Sequence, residues 1–222
     1  EVVSSVINVS KTDDAKNLIM CTVRGTVKKT PFEQYQNVRS SGLIAINLDE
    51  GDELKWIRMT TGENEVVIST AQGQAIRFHE KGARPMGRVA RGVRGIRLRP
   101  KDRVIGMDIV EEGADIFVIS KFGYGKRTKI DQFTAHARGG VGIRSAIVND
   151  KTGDLIGVKR LIGDEQEVII ISKNGQTIRL GLKDISALGR ATQGVRIMRL
   201  NDGDEIVSLA LVDKVPDEPE ED

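Results

Sequence analysis

The sequence repeats the same pattern four times, and this repetition limits the possible folds more than any other feature. In each copy a short apolar run ends at a glycine, and these hairpin glycines are 48, 50 and 52 residues apart: Gly25, Gly73, Gly123 and Gly175. A second glycine follows 17 residues later in the first copy and 19 later in the others: Gly42, Gly92, Gly142 and Gly194. An aspartate then precedes another apolar segment: Asp52, Asp102, Asp154 and Asp204. A period near fifty residues indicates a repeat architecture.

Each copy has the pattern of β structure. The runs before the hairpin glycines are "LIMCT", "VVIST", "IFVIS" and "VIIIS", which are typical of strands buried on both faces. Asn174-Gly175 predicts a tight hairpin in which both turn positions have positive φ. A mixed strand follows each turn, then a loop, a strand around the second glycine and a last strand after the aspartate. Four strands per copy are therefore expected, with no helix beyond one short turn within 30–39.

Four-stranded units with this period predict an all-β fold, a β-propeller or β-pinwheel of about four blades. A β-sandwich is the alternative, but it does not explain four matched units. The predicted domain covers 1–213, with blades at about 17–61, 65–112, 115–163 and 167–213. Residues 1–9 match the last-strand pattern of 205–212, so we expect an extra N-terminal strand from a preceding blade.

The charge is unevenly distributed along the chain. The formal net charge is +2, but residues 214–222 contain one lysine and five acidic residues, which predicts an acidic disordered tail. The rest of the chain has 33 basic and 27 acidic residues, a surplus of +6. A basic body favours a polyanionic partner, although an ordinary soluble surface has the same composition.

Basic residues recur at equivalent positions of the repeat: the fourth residue after each hairpin glycine, the loop before the second glycine, and the strand after it. Because a propeller places equivalent positions around a ring, we expect a basic band that contacts DNA phosphates without reading bases. Its predicted members are Lys28, Lys29, Arg39, Arg77, Arg88, Arg91, Arg94, Lys126, Arg127, Arg138, Arg144, Arg179, Arg190 and Arg196. The aromatic content of 4% argues against single-strand binding by base stacking. Solvent-facing positions without a ligand are the alternative interpretation.

Neither catalysis nor metal binding is indicated by the sequence. Cys21 is the only cysteine, which excludes an intrachain disulfide and a cysteine-based zinc site. His79 and His136 have no partner at a metal-ligand spacing, and the glycine-rich segment 82–95 lacks the ending of a phosphate-binding loop. The repeated aspartates are interpreted as turn formers. No apolar run approaches the ~20 residues of a membrane span. We expect a cytoplasmic protein with no cofactor in this chain.

Five segments of the chain resemble one known family. "RGTVKKT", "GDEL", "GVRGIRL", "GYGKRT" and "GRATQGV" are similar to the C-terminal domain of DNA gyrase A, in the same order and from about Glu1 to Val212. The resemblance implies a pinwheel whose hairpins reach into neighbouring blades and whose rim wraps double-stranded DNA. The implied enzyme is an ATP-hydrolysing type IIA topoisomerase, in which wrapping presents duplex to the strand-passage core for negative supercoiling. The catalytic tyrosine, ATP and Mg²⁺ are then expected elsewhere, in the rest of gyrase A and in gyrase B.

The sequence departs from the family pattern at one motif. The gyrase box, a heptad of glutamine, basic residues and glycines, has no intact copy; "ARGVRG" at 90–95 and "ARGG" at 137–140 are partial matches. The family usually has six blades, so we expect the first two to be missing and duplex binding to be weak and salt-sensitive. We expect the acidic tail to compete with DNA. The alternatives are the corresponding domain of topoisomerase IV, a propeller scaffold that binds an acidic protein, and a propeller enzyme with a central-channel site.

Overall fold

A computed structural model describes residues 15–37, 42–163 and 166–214, and shows the predicted all-β fold. The strands are β1 (Asn17–Thr22), β2 (Thr26–Pro31), β3 (Leu54–Thr60), β4 (Glu65–Thr70), β5 (Gln74–His79), β6 (Val93–Arg94), β7 (Val104–Ile109), β8 (Asp115–Ser120), β9 (Tyr124–Lys129), β10 (Ile143–Arg144), β11 (Leu155–Leu161), β12 (Gln166–Ser172), β13 (Thr177–Gly181), β14 (Val195–Arg196) and β15 (Ile206–Asp213). Single 3₁₀ turns follow the second strand of each repeat, at Phe32–Tyr35, Glu80–Gly82, Ile130–Gln132 and Leu182–Asp184. Within the described ranges, no helix has the length and apolar character needed to cross a membrane.

The first two strands of every repeat form a hairpin that is closed by a hydroxyl group as well as by the backbone. In the fourth repeat the N–H of Gly175 donates to the Ser172 carbonyl at 3.1 Å, and the N–H of Gln176 donates to the Ser172 hydroxyl at 3.1 Å. Gly175 has φ +86°, whereas Asn174 is not in the left-handed region. The predicted turn with two positive φ angles is therefore wrong, since one glycine makes the reversal after an ordinary turn.

Three of the four repeated aspartates bind the tip of their own hairpin. The carboxylates of Asp52, Asp102 and Asp204 accept a main-chain N–H from the residue before the hairpin glycine, at 3.0, 2.9 and 3.1 Å. In the third repeat the carbonyl of Thr152 accepts that hydrogen bond from Phe122, at 3.0 Å. The predicted turn role is thus confirmed for three of the aspartates, which tie the last strand to the hairpin.

The third strand of a repeat belongs to the sheet of the preceding repeat. The sheet orders are β3-β1-β2-β6, β7-β4-β5-β10, β11-β8-β9-β14 and β15-β12-β13. Each of β6, β10 and β14 has thus crossed to the outer edge of the blade before its own, which is the pinwheel exchange implied by the resemblance. A repeat therefore contributes strands to two blades. The fourth sheet has three strands among the described residues, and segment 1–9 and residues 215–222 lie outside them.

The crossing strand requires the second glycine of the repeat. Gly142 has φ +77°, a conformation that side chains other than glycine rarely adopt. A Cβ atom at Gly142 would lie 2.3 Å from the carbonyl oxygen of Ala75 in the neighbouring strand. The glycines at 92 and 194 also have positive φ, with a carbonyl oxygen at 2.5 Å from a Cβ atom in each case, whereas nothing lies within 4 Å at Gly42. In the last three repeats the glycine is therefore explained by close contact between two blades.

The apolar core lies between blades, and β4 and β8 contribute both of their faces to it. Val66 and Ile68 of β4 pack with the first blade, whereas Val67 packs with the third. Similarly, Ile116 of β8 faces the second blade and Phe117 faces the fourth. Both faces of β4 and β8 are dry, as predicted for continuous apolar runs. The same prediction is wrong for β12, where Ile169 and Ile171 are only partly buried. Burying this surface holds successive blades together.

The last strand of each repeat lies along the inner side of the blades. Neighbouring pairs of these strands, β3 with β7, β7 with β11 and β11 with β15, pack against each other. Charged side chains join them: Arg58 Nε lies 2.9 Å from Asp108 Oδ1, and Arg160 binds the carbonyl of Ile109 at 3.1 Å and the Glu111 carboxylate. Ion pairs thus connect the first three blades at their inner edge.

Candidate nucleic-acid interface

In the first three repeats, the basic residue at the fourth position after the hairpin glycine binds the next blade. Arg127 Nε donates to the carbonyl of Ile185 in the following repeat at 2.8 Å. Arg77 Nη1 donates to the carbonyls of Ile130 and Phe133 at 3.2 Å each. Charged donors on backbone carbonyls make strong hydrogen bonds, so these side chains stabilise the arc of blades.

Each of these residues also has a carboxylate partner. In three repeats the carboxylate lies twelve residues earlier, on the adjacent strand: Arg77 with Glu65, Arg127 with Asp115 and Arg179 with Glu167. The first repeat has Asn17 at that position instead. There Lys29 Nζ binds the carbonyl of Glu80 in the next repeat at 3.0 Å and lies 3.5 Å from its carboxylate.

Lys28 and Lys126 are fully buried beneath the loops that precede the second glycines. Lys126 Nζ donates to the carbonyls of Gly189 and Arg190 at 2.6 Å each, and to the Thr192 hydroxyl at 3.1 Å. Lys28 binds the carbonyl of Arg88 in the same way. Burial lowers the pKa of both lysines to about 8, and the guanidinium groups of Arg88 and Arg190 contribute to the lowering. These lysines hold the arginine loops in place.

The structure therefore corrects part of the predicted basic band. Lys28, Lys29 and Lys126 are buried, and two arginines are half-buried in contacts with a neighbouring blade, Arg77 and Arg127. The three lysines lie inside the protein and the two arginines are partly covered, because their side chains pack against the neighbouring blade. The Arg179 side chain is 48% exposed and paired with Glu167, and Arg39 lies outside the described residues.

The arginines of the crossing strands are exposed on the outer edge of the blades. Arg94, Arg144 and Arg196 occupy equivalent positions in β6, β10 and β14. Within the described part of the chain, the guanidinium groups of Arg94 and Arg144 make no hydrogen bond or ion pair. Arg196 donates to the Tyr124 hydroxyl at 2.9 Å and lies 5.4 Å from the centre of its ring, and this contact lowers the pKa of Tyr124.

The loop arginines lie next to these strands. Arg190 Nη1 donates to the carbonyl of Arg144 at 2.9 Å, and Arg138 makes the equivalent bond to the carbonyl of Arg94. These bonds use arginine side chains to position the backbone of the exposed arginines. Arg91 is 73% exposed and lies 3.1 Å from Asp49. We call the following six residues the arginine rim: Arg91, Arg94, Arg138, Arg144, Arg190 and Arg196.

One groove on this edge contains arginines that the repeat analysis missed. It has a volume of about 700 Å³ and lies between the hairpin tip of the first blade and its crossing strand. Arg24 and Arg97 line it together with Arg91 and Arg94. Equivalent positions in other repeats are mostly uncharged, so a search for periodic basic residues could not detect them. These two arginines therefore add positive charge beside Arg91 and Arg94 at the edge of the first blade.

Comparison with known proteins identifies the family. The chain matches the family model described as DNA gyrase C-terminal domain, beta-propeller, over residues 16–61, 64–111, 114–161 and 166–213. The chain belongs to this family. The A subunit of DNA gyrase from Aminobacterium colombiense is 42% identical over 90% of this chain and 24% of its own length. Its counterpart from Chlamydia pneumoniae is 37% identical over 94% of this chain and 25% of its own length. The chain thus spans about a quarter of these relatives.

Two solved structures share the fold. A structure of a DNA gyrase A C-terminal domain has a TM-score of 0.79 at 22% identity, covering 91% of this chain and 67% of that one. The C-terminal domain of a DNA topoisomerase IV has a TM-score of 0.84 at 23% identity, covering 93% and 64%. At this level of identity the likeness concerns the fold, and it confirms the predicted pinwheel-like propeller.

Proposed function

We propose that this domain binds double-stranded DNA along the arginine rim and bends it around the blades. It does so as the C-terminal part of gyrase A, in the cytoplasm, and presents the bent duplex to the strand-passage part of the enzyme. Gyrase B is the partner that supplies ATP hydrolysis with Mg²⁺, and negative supercoiling is the result. This role follows the family to which the chain belongs, and it places no catalytic residue in this chain.

The observation that carries the proposal is the repeated exposure of Arg94, Arg144 and Arg196. Each lies at the same point of a successive blade, and two of the three guanidinium groups have no partner among the described residues. Phosphates repeat along both DNA strands, so a series of unpaired guanidinium groups on a curved edge is suited to the backbone of bent duplex. Contacts of this kind fix the path of DNA but carry no sequence information.

Bending limits how tightly this chain holds its DNA. Smoothly bending a site of 20–30 base pairs costs of order 1–6 kcal/mol, which phosphate contacts must offset. Each neutralised phosphate lowers the slope of log K against log salt by about 0.9. The rim described here has six arginines, one of which is paired with an aspartate. Binding is therefore expected to be measurable at low salt and to weaken steeply as salt is added.

The test is a titration of a labelled duplex of about 40 base pairs at several salt concentrations, from which the salt slope is obtained. The variant combines Arg94→Ala, Arg144→Ala and Arg196→Ala. We expect it to lose about 2.7 units of slope, since three phosphate contacts are removed. Lys55→Ala is the matched control, because Lys55 is also about half exposed but lies on the inner strand β3, and it should leave the slope unchanged.

Two results would contradict the proposal. One is an unchanged slope in the triple variant, which would remove the rim from the binding site. The other is a duplex that stays straight: a DNA of about 100 base pairs is shorter than its persistence length, so bending by the domain must bring end labels closer together. Binding to acidic proteins without any effect on duplex would favour the scaffold alternative.

A further inference from the structure

A small cavity with a mixed polar and apolar wall lies where the inner strands of the first three blades meet. Its volume is about 40 Å³, and it is more enclosed than the grooves of the outer edge. Its polar wall consists of Arg58, Ser69, Asp108, Lys159 and Arg160, and its apolar wall includes Trp56, Val67, Met107, Ile116 and Val158. The cavity is on the opposite side of the sheets from the crossing strands, so it is separate from the arginine rim.

Positive charge at this cavity is not fully balanced. Arg58 is paired with Asp108 at 2.9 Å, and Arg160 is paired with Glu111. Lys159 is the remaining cation, and within the described residues its ammonium group has neither a hydrogen bond nor an ion pair. Burial lowers the pKa of Lys159, the charge of Arg58 lowers it further, and Asp108 partly opposes both effects. A partly buried cation in this position is costly unless an anion lies beside it.

A second polar group at the cavity also has no partner. Ser69 is 1% exposed, and its hydroxyl oxygen makes no hydrogen bond in the described structure. Buried hydroxyl groups nearly always have a partner, and one without a partner calls for an explanation. Lys159 and Ser69 come from different blades and are unrelated in the repeat pattern. A buried hydroxyl group and a partly buried ammonium group, neither with a protein partner among the described residues, thus line the same small space.

We propose that this inner cavity is a binding site for a small oxyanion of the phosphate class. The ammonium of Lys159 and the hydroxyl of Ser69 are its donors, and the two paired guanidinium groups add a positive field. Asp108 and Glu111 are already engaged by arginines, so they do not repel an anion as free carboxylates would. The cavity is too small for a nucleotide or a DNA backbone, which commits the site to a free ion.

An occupied site would brace the blades. Arg58 belongs to the first blade, Ser69 to the second and Lys159 to the third. An anion held by donors from neighbouring blades stabilises only the folded arrangement, so it raises the unfolding temperature in proportion to the logarithm of its concentration above the dissociation constant. The inferred role is therefore structural support of the blades, independent of DNA binding at the rim.

Trp56 gives a direct test, because it lines the cavity and is the only tryptophan in the chain. Inorganic phosphate is titrated into the full chain at constant ionic strength, with chloride as the balancing anion, and Trp56 emission is followed. We expect a saturable change in emission with phosphate and none with chloride. Lys159→Met should weaken the affinity about tenfold or more, since a charged donor is lost. Lys101→Met, at an exposed outer loop, should leave the affinity unchanged.

A thermal measurement covers the case in which Lys159→Met alters folding. Phosphate stabilises many proteins by exclusion from their surface, so the relevant quantity is the difference between variants. We expect the phosphate-dependent rise in unfolding temperature to be larger in the native chain than in Ser69→Ala, a variant that removes one hydroxyl group. An emission change that is linear in phosphate, or equal rises in unfolding temperature, would overturn the proposal. Neither result bears on the salt slope of duplex binding.

Discussion

The contact between Lys29 and Glu80 gives the sharpest test of how the blades are joined. The Glu80 side chain is fully buried, and its carboxylate accepts hydrogen bonds from the Thr60 hydroxyl at 2.8 Å and from the N–H groups of Gly62 and Asn64 at 3.0 and 2.9 Å. Lys29 Nζ, from the first blade, lies 3.5 Å from the same carboxylate. One carboxylate thus connects β2, β3 and the loop that opens the second repeat.

Glu80→Gln keeps the shape of the side chain and removes its charge. The buried Lys29 ammonium then has no carboxylate, and removing one member of a buried ion pair costs about 3–5 kcal/mol. Lys29→Met is expected to cost less, about 1–3 kcal/mol, because three other donors still satisfy Glu80. The double variant removes both charges, so it should be more stable than the sum of the single costs predicts by about 1 kcal/mol or more.

The free energy of unfolding is measured by urea denaturation of the native chain, the two single variants and the double variant. The dependence of this free energy on urea concentration should be the same in all four proteins. Glu63→Gln is the control, since Glu63 is 69% exposed and its pairs with Lys81 and His79 are on the surface. It is expected to change stability much less than Glu80→Gln does, because solvent screens exposed ion pairs. Two results would refute this account of the Lys29–Glu80 contact. One is a loss of less than about 1 kcal/mol in the free energy of unfolding for Glu80→Gln, and the other is a double variant whose loss equals the sum of the two single losses.

Three further predictions concern the crossing strands, the buried lysines and the tail. Gly142→Ala should destabilise the chain more than Gly113→Ala: both glycines have φ +77°, but only the first meets a carbonyl, whereas nothing lies within 4 Å of the second. The difference is measured by urea denaturation, and equal costs would contradict it. Burial lowers the pKa of Lys126 from its ordinary value of 10.5 to about 8 in the folded chain. Between these two pH values the unfolded chain binds more protons than the folded chain, so the free energy of unfolding rises with pH. This rise, followed from pH 7 to 10, should be smaller in Lys126→Met, and an identical pH profile would be inconsistent with the shift. Deleting residues 214–222 should tighten duplex binding at low salt, where screening is weakest, and unchanged affinity in the titration would remove the idea of competition.

The fold was predictable because its signals are local. An apolar run, a hairpin glycine and an aspartate follow one another within each repeat, and the structure shows that they contact each other, as Asp102 does with the N–H of Gln72. The crossing of β6 and its equivalents to the preceding blade was less accessible. This crossing depends on contacts between residues some sixty positions apart in the sequence, such as Lys28 and Arg88. No local sequence pattern specifies such contacts.

The candidate site was predicted only in part, because periodic charge does not distinguish an interior from a surface. Alternation along a strand shows which residues share a face, but when both faces are buried neither is the outside. One signal in the sequence does identify the buried lysines. Residues 28 and 126 are lysines where the other repeats have isoleucine, at 76 and 178, which indicates an interior position. An acid twelve residues earlier does not separate the classes, because Asp184 stands at that distance before the exposed Arg196 as well.

The buried lysines and the exposed arginines form one electrostatic system. Lys126 is satisfied by neutral acceptors, the carbonyls of Gly189 and Arg190 and the hydroxyl of Thr192, and within the described residues it has no carboxylate partner. Its charge is therefore held in place but not cancelled, directly beneath the loop that carries Arg190. At neutral pH this charge adds to the potential of the rim, and low-dielectric surroundings weaken it less than water would. If the rim binds DNA as proposed, this buried cation attracts a phosphate that it never touches, and the same hydrogen bonds that fix the loop keep that charge close to the surface.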